Sequence, residues 1–264
     1  MRGCNDIYEI VTVYYPNSCF TTSTSTTLPP TTTTTTTTAP LSLKLTFNDI
    51  ANANSLVGDA SSVTDWNTFF DLPTYGNPFT SVVIVGNEVK LFGGSDINLR
   101  VDVFSATTSL ISVDDLIGCI VNANGYSFAN NPNLINLSLP ALINTGYDSF
   151  CYACESLISV NLPSLVTAGG SSFEQCYLLT TINLPSLTTM GTYGLYDCIS
   201  LTTINIPSCT DLGGTVGNDS VFDNIIGNTI TLTVPSALMT CNDGLSDGDI
   251  QYLQANNTVT IITT

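Results

Sequence analysis

Pro140, Pro163, Pro185 and Pro207 fall 23, 22 and 22 residues apart, each closing a leucine- and isoleucine-rich stretch. A fixed period of this length is the signature of a solenoid, in which each unit buries its apolar face only against its neighbours. In register, Leu134 to Pro140 matches Leu157 to Pro163, Leu179 to Pro185 and Leu201 to Pro207, giving the template L-x-x-[ILV]-x-[LI]-P. Apolar and polar residues alternate just before each proline, as in a short strand with one buried face. The proline ends the strand by removing a ladder donor.

A second shared block follows each proline: Phe150 with Cys154, Phe173 with Cys176 and Leu195 with Cys198, with a weaker unit around Phe128. An aromatic and a cysteine at one place in every rung are expected to stack inside the coil. Nine cysteines could form a disulfide framework, but Cys154, Cys176 and Cys198 recur with the repeat, which favours stacked core thiols. Cys4 and Cys19 flank a predicted strand and could bridge; the pairing cannot be read from sequence.

The order Cys176, Leu179, Ile182, Leu184, Pro185, Ser186, Leu187, Met190, Gly191 and Leu195 resembles the leucine-rich repeats of the BspA-like, or treponemal, class. The resemblance covers residues 109–235 and implies a mainly β leucine-rich-repeat solenoid that displays a surface and carries no reaction. It departs at Asp211 to Asn228, where the last unit is stretched before Leu232-Thr-Val-Pro235.

Five segments are expected around this pattern. Residues 1–20 read as an anchoring strand segment, in which Ile7, Tyr8, Ile10, Val11, Val13 and Tyr15 are the anchoring side chains. Residues 21–40 include eight consecutive threonines, Thr31 to Thr38, bracketed by prolines. β-branched, uncharged residues of this kind read as an extended arm or a disordered linker, with a reach of roughly 60 to 70 Å when extended. Residues 41–108 read as a β-rich N-terminal cap with strands Leu41 to Phe47, Ser81 to Val85, Glu88 to Phe92 and Ile97 to Phe104, and a helix from Val63 to Phe70 capped by Ser62. The repeats take residues 109–235. Residues 236–264 read as a C-terminal cap, a short helix from Asp247 and a strand from Thr258 to Ile262.

Charge narrows the function. Four Lys and Arg stand against 21 Asp and Glu, with no histidine, so a phosphate backbone is repelled and nucleic acid is excluded as a partner. The longest apolar runs are strand length, so no membrane insertion is expected. The absence of histidine removes Ser/His/Asp and Cys/His relays and the usual zinc sites, and no enzyme, cofactor or metal site is expected. Paired carboxylates for glycoside hydrolysis stay open. Asn242 to Asp249 is acidic but lacks EF-hand order; turns and helix capping account for it better than calcium.

In the strand template the residues between the apolar positions point outward. One ladder is then Ser138, Asn161, Asn183 and Asn205, and another is Asn136, Ser159, Thr181 and Thr203. This amide-and-hydroxyl face is the candidate surface for a host glycan or protein, or else a solvated sheet of β-favouring residues. Tyr147, Tyr152, Tyr177, Tyr193 and Tyr196 lie in the return segments, where exposed rings could stack on sugars or buried ones pack.

Met1-Arg-Gly-Cys-Asn-Asp is followed by no signal-peptide h-region. The threonine arm, the stretch Val57 to Phe70 and the stretch Val85 to Gly94 resemble structural proteins of tailed phages that infect Bacteroidetes, including the crAss-like group. That resemblance implies a head-fibre, tail-fibre or decoration protein on the virion surface, bound through residues 1–40 to capsid or tail proteins, and built as a homo-oligomer, by analogy a trimer. A bacterial cell-surface adhesin is the alternative, and a carbohydrate-active module a third reading.

Overall fold

A computed structural model describes residues 39–71, 76–213, 220–240 and 248–264. The expected anchoring residues Ile7, Tyr8, Ile10, Val11, Val13 and Tyr15, the threonine arm up to Thr38, and Cys4 and Cys19 lie outside them.

The N-terminal unit begins with β1 (Leu41–Phe47), followed by helices α1 (Ile50–Val57) and α2 (Val63–Phe69). The Asp49 carboxylate accepts from Ala51 N and the Ser62 hydroxyl from Asp65 N, so each helix starts on a side chain that satisfies an otherwise orphaned N–H. Trp66 is fully buried on α2, and its Nε1 donates to Ala60 O at 2.9 Å. Strands β2 (Asn77–Val85) and β3 (Glu88–Ser95) form a hairpin longer than the sequence reading of Ser81 to Val85 and Glu88 to Phe92. β4 (Ile97–Leu99) is short; the strand expected to reach Phe104 stops at Leu99. The alternation Val101-Asp-Val103 imitates a strand, but Asp102 and Ala106 are left-handed and turn the chain instead.

β5 (Leu110–Asp115) joins the two architectures. It pairs antiparallel with β1, on the side of β3 and β2, and parallel with β7 (Asn136–Ser138) on the other side. The antiparallel meander therefore covers the edge that the first coil would otherwise expose.

From there the chain winds as a coil with two parallel ladders. One passes from β5 and β7 to β8 (Ser159–Asn161), then through β10 (Thr181–Asn183), β12 (Thr203–Asn205), β14 (Thr229–Val234) and β15 (Thr258–Thr263). Among the described residues no ladder pairing joins β8 to β10; the pairings resume at Ile182↔Ile204↔Leu232↔Ile261. The other ladder runs from β4 through β6 (Ile120–Ala123) and Asn144 to β9 (Thr167–Ala168), β11 (Thr189–Met190) and β13 (Asp211–Leu212). The second ladder begins at Ile97, inside the stretch expected to be cap. Helix α3 (Gly248–Asn256) leads into β15, which pairs with β14 over six residues and so continues the ladder.

Between the ladders the chain makes a tight arc. In successive coils Asp102, Tyr126, Ser149, Ser171 and Tyr193, and four residues later Ala106, Asn130, Ala153, Gln175 and Asp197, have φ between 52° and 60°. Left-handed backbone costs a non-glycine residue about 1 to 2 kcal/mol. It is held here because the N–H of each second-set residue donates to the next coil: Ala153 to Glu174 O at 2.9 Å, Gln175 to Tyr196 O at 2.8 Å and Asp197 to Asp223 O at 3.0 Å.

The core is one cluster running through both architectures. Phe69 and Phe70 of the cap meet Phe104 at 5.3 and 5.7 Å, Phe104 stacks on Phe128 at 5.2 Å, and Phe150 and Phe173 continue the series at 5.3 and 6.2 Å. Phe150 does not occupy the equivalent place. The left-handed pairs put it level with Ser172, and put Cys151 level with Phe128 and Phe173. The sequence alignment of Phe150 with Phe173 was thus one residue out of step.

Candidate functional site

Two faces of the coil present side chains that the fold does not bury. The first is the strand face. All eight residues expected to point outward do so: Asn136 and Ser138 on β7, Ser159 and Asn161 on β8, Thr181 and Asn183 on β10, and Thr203 and Asn205 on β12, each flanking an inward Leu137, Val160, Ile182 or Ile204. Much of their hydrogen-bonding capacity is spent along the ladder. Asn136 Nδ2 donates to Asp114 Oδ1 at 3.0 Å, the Ser159 hydroxyl to Asn136 Oδ1 at 2.7 Å, Asn161 Nδ2 to Ser138 Oγ at 3.0 Å, and Asn205 Nδ2 to Asn183 Oδ1. Such cross-strand pairs contribute about 0.2 to 1 kcal/mol each. What is left is a neutral surface of hydroxyl and amide groups. The second ladder carries a similar row: Asn122 Nδ2 donates to Asn98 Oδ1 at 2.6 Å and Asn144 Nδ2 to Asn122 Oδ1 at 2.9 Å.

The second face is made by the arcs, and the left-handed corners set its register. Tyr152, Glu174, Tyr196 and Asp223 are the residues whose carbonyls accept from the corner residue of the coil before, so they form one row in which ring and carboxylate alternate. Glu155 and Tyr177 follow Cys154 and Cys176 and flank that row. Tyr193 meets Tyr196 edge to face at 5.5 Å, and Asn224 Nδ2 donates to the Tyr196 hydroxyl at 2.9 Å. Ser171, Glu174, Gln175, Tyr193 and Tyr196 line an open depression of about 480 Å³. A second depression, about 400 Å³, lies between Asn124, Asn144, Gly146, Thr167 and Tyr147, whose side chain is 97 % exposed.

This face is strongly anionic. Asp197 beside the Tyr196 phenol, then partial burial, Glu174 and Asp223, hold that phenol above its ordinary pKa. Burial first, and then Asp197 and Glu155, do the same for Tyr177. After Arg100 the sequence contains 13 Asp and Glu and no Lys, Arg or His. Lys44 and Lys90 are engaged with Glu88 and Asp114, and Arg100 lies over the Phe69 ring at 5.9 Å. The row of rings and carboxylates was the part that sequence reading missed. Its signal was there, since Tyr152, Glu174 and Tyr196 each stand two residues before a repeat cysteine.

The six described cysteines, Cys119, Cys151, Cys154, Cys176, Cys198 and Cys209, are all buried in the core. Burial pushes the Cys151 and Cys176 thiols well above the usual range. Among the described residues no group of three or more His, Cys, Asp or Glu side chains is placed to hold a metal ion. Most of the acidic stretch Asn242 to Asp249 lies outside those residues; Asp249 itself is buried and accepts from Val221 N at 3.0 Å. No helix among the described residues is long and apolar enough to cross a membrane.

Residues 98–227 and 146–263 match the family described as BspA type leucine rich repeat region, in six copies, which together take in more than half of the chain. The chain belongs to the BspA type leucine-rich-repeat family. The matched span opens within β4 and closes at the end of β15, the limits of the coil itself. No curated protein and no solved structure matches the chain.

Proposed function

We propose that this BspA type repeat protein is a non-enzymatic recognition protein displayed at a surface, with the coil as its contact domain. The observation that carries the reading is the outward strand face: eight amide and hydroxyl side chains on four successive strands, paired in register β7 with β8 and β10 with β12, over a core that spans every coil. Rigid, pre-organised surfaces bind with little ordering cost. Both depressions open to the surface, which suits contact with a glycan or protein better than enclosure of a reacting substrate.

The finer proposal is a phage virion fibre or decoration protein, anchored to capsid or tail proteins through residues 1–40 and assembled as a homo-oligomer, with a trimer as the working stoichiometry. The threonine-rich arm and the anchor-like segment before it support this. The repeat family favours a second reading, a bacterial cell-surface adhesin. Cryo-microscopy of the native particle or cell envelope separates them. Residues 1–40 seated on a capsid or tail protein establish the first; the chain on an envelope with no virion protein beside it establishes the second. Binding of intact cells or purified surface glycans by the full chain, lost in an Asn161→Ala/Asn183→Ala/Asn205→Ala variant that still folds, tests the strand face in either setting.

A further inference from the structure

We propose that the arc face built on Tyr152, Glu174, Tyr177, Tyr196, Asp197 and Asp223 is a docking surface for a partner protein that presents lysine or arginine side chains. The inference deepens the recognition reading above and rests on it, adding a second contact face of different chemistry from the strand face.

The register of the coil carries it. Successive coils are about 4.8 Å apart, so the row Tyr152, Glu174, Tyr196, Asp223 sets a carboxylate beside every ring. A cation over a tyrosine face is attracted by the ring quadrupole, and a carboxylate at the ring's edge accepts its N–H groups. Arginine fits best, because its planar guanidinium can stack on the ring and still reach a carboxylate in bidentate fashion. The depression between Glu174, Gln175, Tyr193 and Tyr196 is open enough to admit such a side chain from outside.

Charge complementarity selects the occupant. The coil from residue 101 onward supplies no cation of its own, so the field that raises the Tyr177 and Tyr196 phenols is not neutralised by any Lys or Arg of that stretch. A neutral sugar could stack on the same rings but would draw nothing from that field. An anionic partner would be repelled by it.

The test uses the full chain and short, end-blocked oligoarginine and oligolysine peptides, titrated by calorimetry at about 150 mM salt, where exposed charges more than about 8 Å apart are largely screened. Binding is expected, with arginine tighter than lysine. Tyr196→Ala weakens it about fivefold, while Tyr196→Phe, which keeps the ring, does not. Glu174→Gln/Asp197→Asn weakens it tenfold or more. Asp71→Asn/Asp211→Asn, the same change in net charge at an exposed position of the N-terminal unit and on the second ladder, leaves it within twofold. The inference is overturned by no binding, by equal losses in the two charge variants, by indifference to Tyr196→Ala, or by neutral oligosaccharides binding here in place of the peptides. None of those outcomes touches cell or glycan binding through Asn161, Asn183 and Asn205, so failure here is distinguishable from failure of the recognition reading.

Discussion

The Cys198 thiol donates to the carbonyl of Phe173 at 3.0 Å, one coil back along the solenoid. Cys176 does the same to Cys151 O at 3.4 Å and Cys154 to Phe128 O at 3.1 Å. In the preceding coil Asn131 takes over, its Nδ2 donating to Phe104 O at 2.8 Å. Every one of these carbonyls belongs to the third residue of an arc, counted from the first left-handed corner. The ladder therefore ties an apolar stack to a row of buried backbone acceptors, adding a second donor to carbonyls that already accept within their own arc, as Phe173 O does from Cys176 N at 3.3 Å and Cys151 O from Cys154 N at 3.3 Å.

Removing one rung should be costly and local. Cys198→Ala is expected to destabilise the coil by about 1 to 3 kcal/mol, from the lost packing and the loss of one of the two donors to the Phe173 carbonyl. Urea unfolding checks this; a change below about 0.5 kcal/mol would contradict the ladder's role.

The same burial predicts inert thiols. Cys119, Cys151, Cys154, Cys176, Cys198 and Cys209 should stay unlabelled by a thiol reagent in native buffer and react fully once the chain is unfolded. Mass mapping of the labelled peptides reads each site separately. Rapid native labelling of Cys176 or Cys198 would refute the packing described.

Gly191 marks a close crossing of coils. A Cβ there would lie 2.5 Å from Gly170 N and 2.7 Å from Gly169 C, both backbone atoms that cannot step aside. Gly191→Ala should cost about 3 kcal/mol or more, at the upper end for overpacked sites. By contrast Ala153→Gly relieves a left-handed corner at φ 55° and should leave stability unchanged or raise it by up to about 1 kcal/mol. In thermal unfolding Gly191→Ala should lower the midpoint clearly and Ala153→Gly should not lower it; a loss in Ala153→Gly would contradict the strained corner.

The carboxylates around Tyr196 make a prediction about pH. Its phenol is held above the usual value of about 10, chiefly by Asp197, so the neutral form is favoured in the folded chain. A folded-state pKa above the unfolded one means that stability is intact below about pH 10 and declines as pH rises through the folded value. In Asp197→Asn the Tyr196 titration, followed by ring ¹³Cζ shifts, should move down. No movement would place Asp197 away from the ring.

Lys44 joins β3 to β5 through Glu88 at 3.8 Å and Asp114 at 3.1 Å, on a part-exposed surface. Lys44→Met is expected to change stability by less than about 1 kcal/mol and to make it less sensitive to salt. A larger loss would show that this pair organises the junction between meander and coil.

The repeat's period, its inward apolar residues and its outward polar rows were all legible in the chain. Residue spacing dictates them: once Leu137, Ile182 and Ile204 face inward, a side-chain period of two forces Asn136, Asn183 and Asn205 out. Helix α1 was not plainly legible: Ile50, Ala53, Leu56 and Val57 do fall at helical spacing and pack on the core, but the stripe spans only two turns broken by Asn52 and Asn54, and the helix starts on the Asp49 cap. Nor was the shift at Phe150 and Cys151, since either residue can fill the arc's interior and only the stacked corners decide which does.

By itself, then, the sequence determined that this chain coils, which side chains face out of its strands, and that its repeat half is uniformly anionic. Only the tertiary structure decided how residues of adjacent coils, about 22 positions apart, meet. The alternation of Tyr152, Glu174, Tyr196 and Asp223, the thiol ladder and the continuation of the coil through β15 all depend on inter-coil register. That register is fixed by hydrogen bonds between coils, and those exist only once each coil has closed on the next.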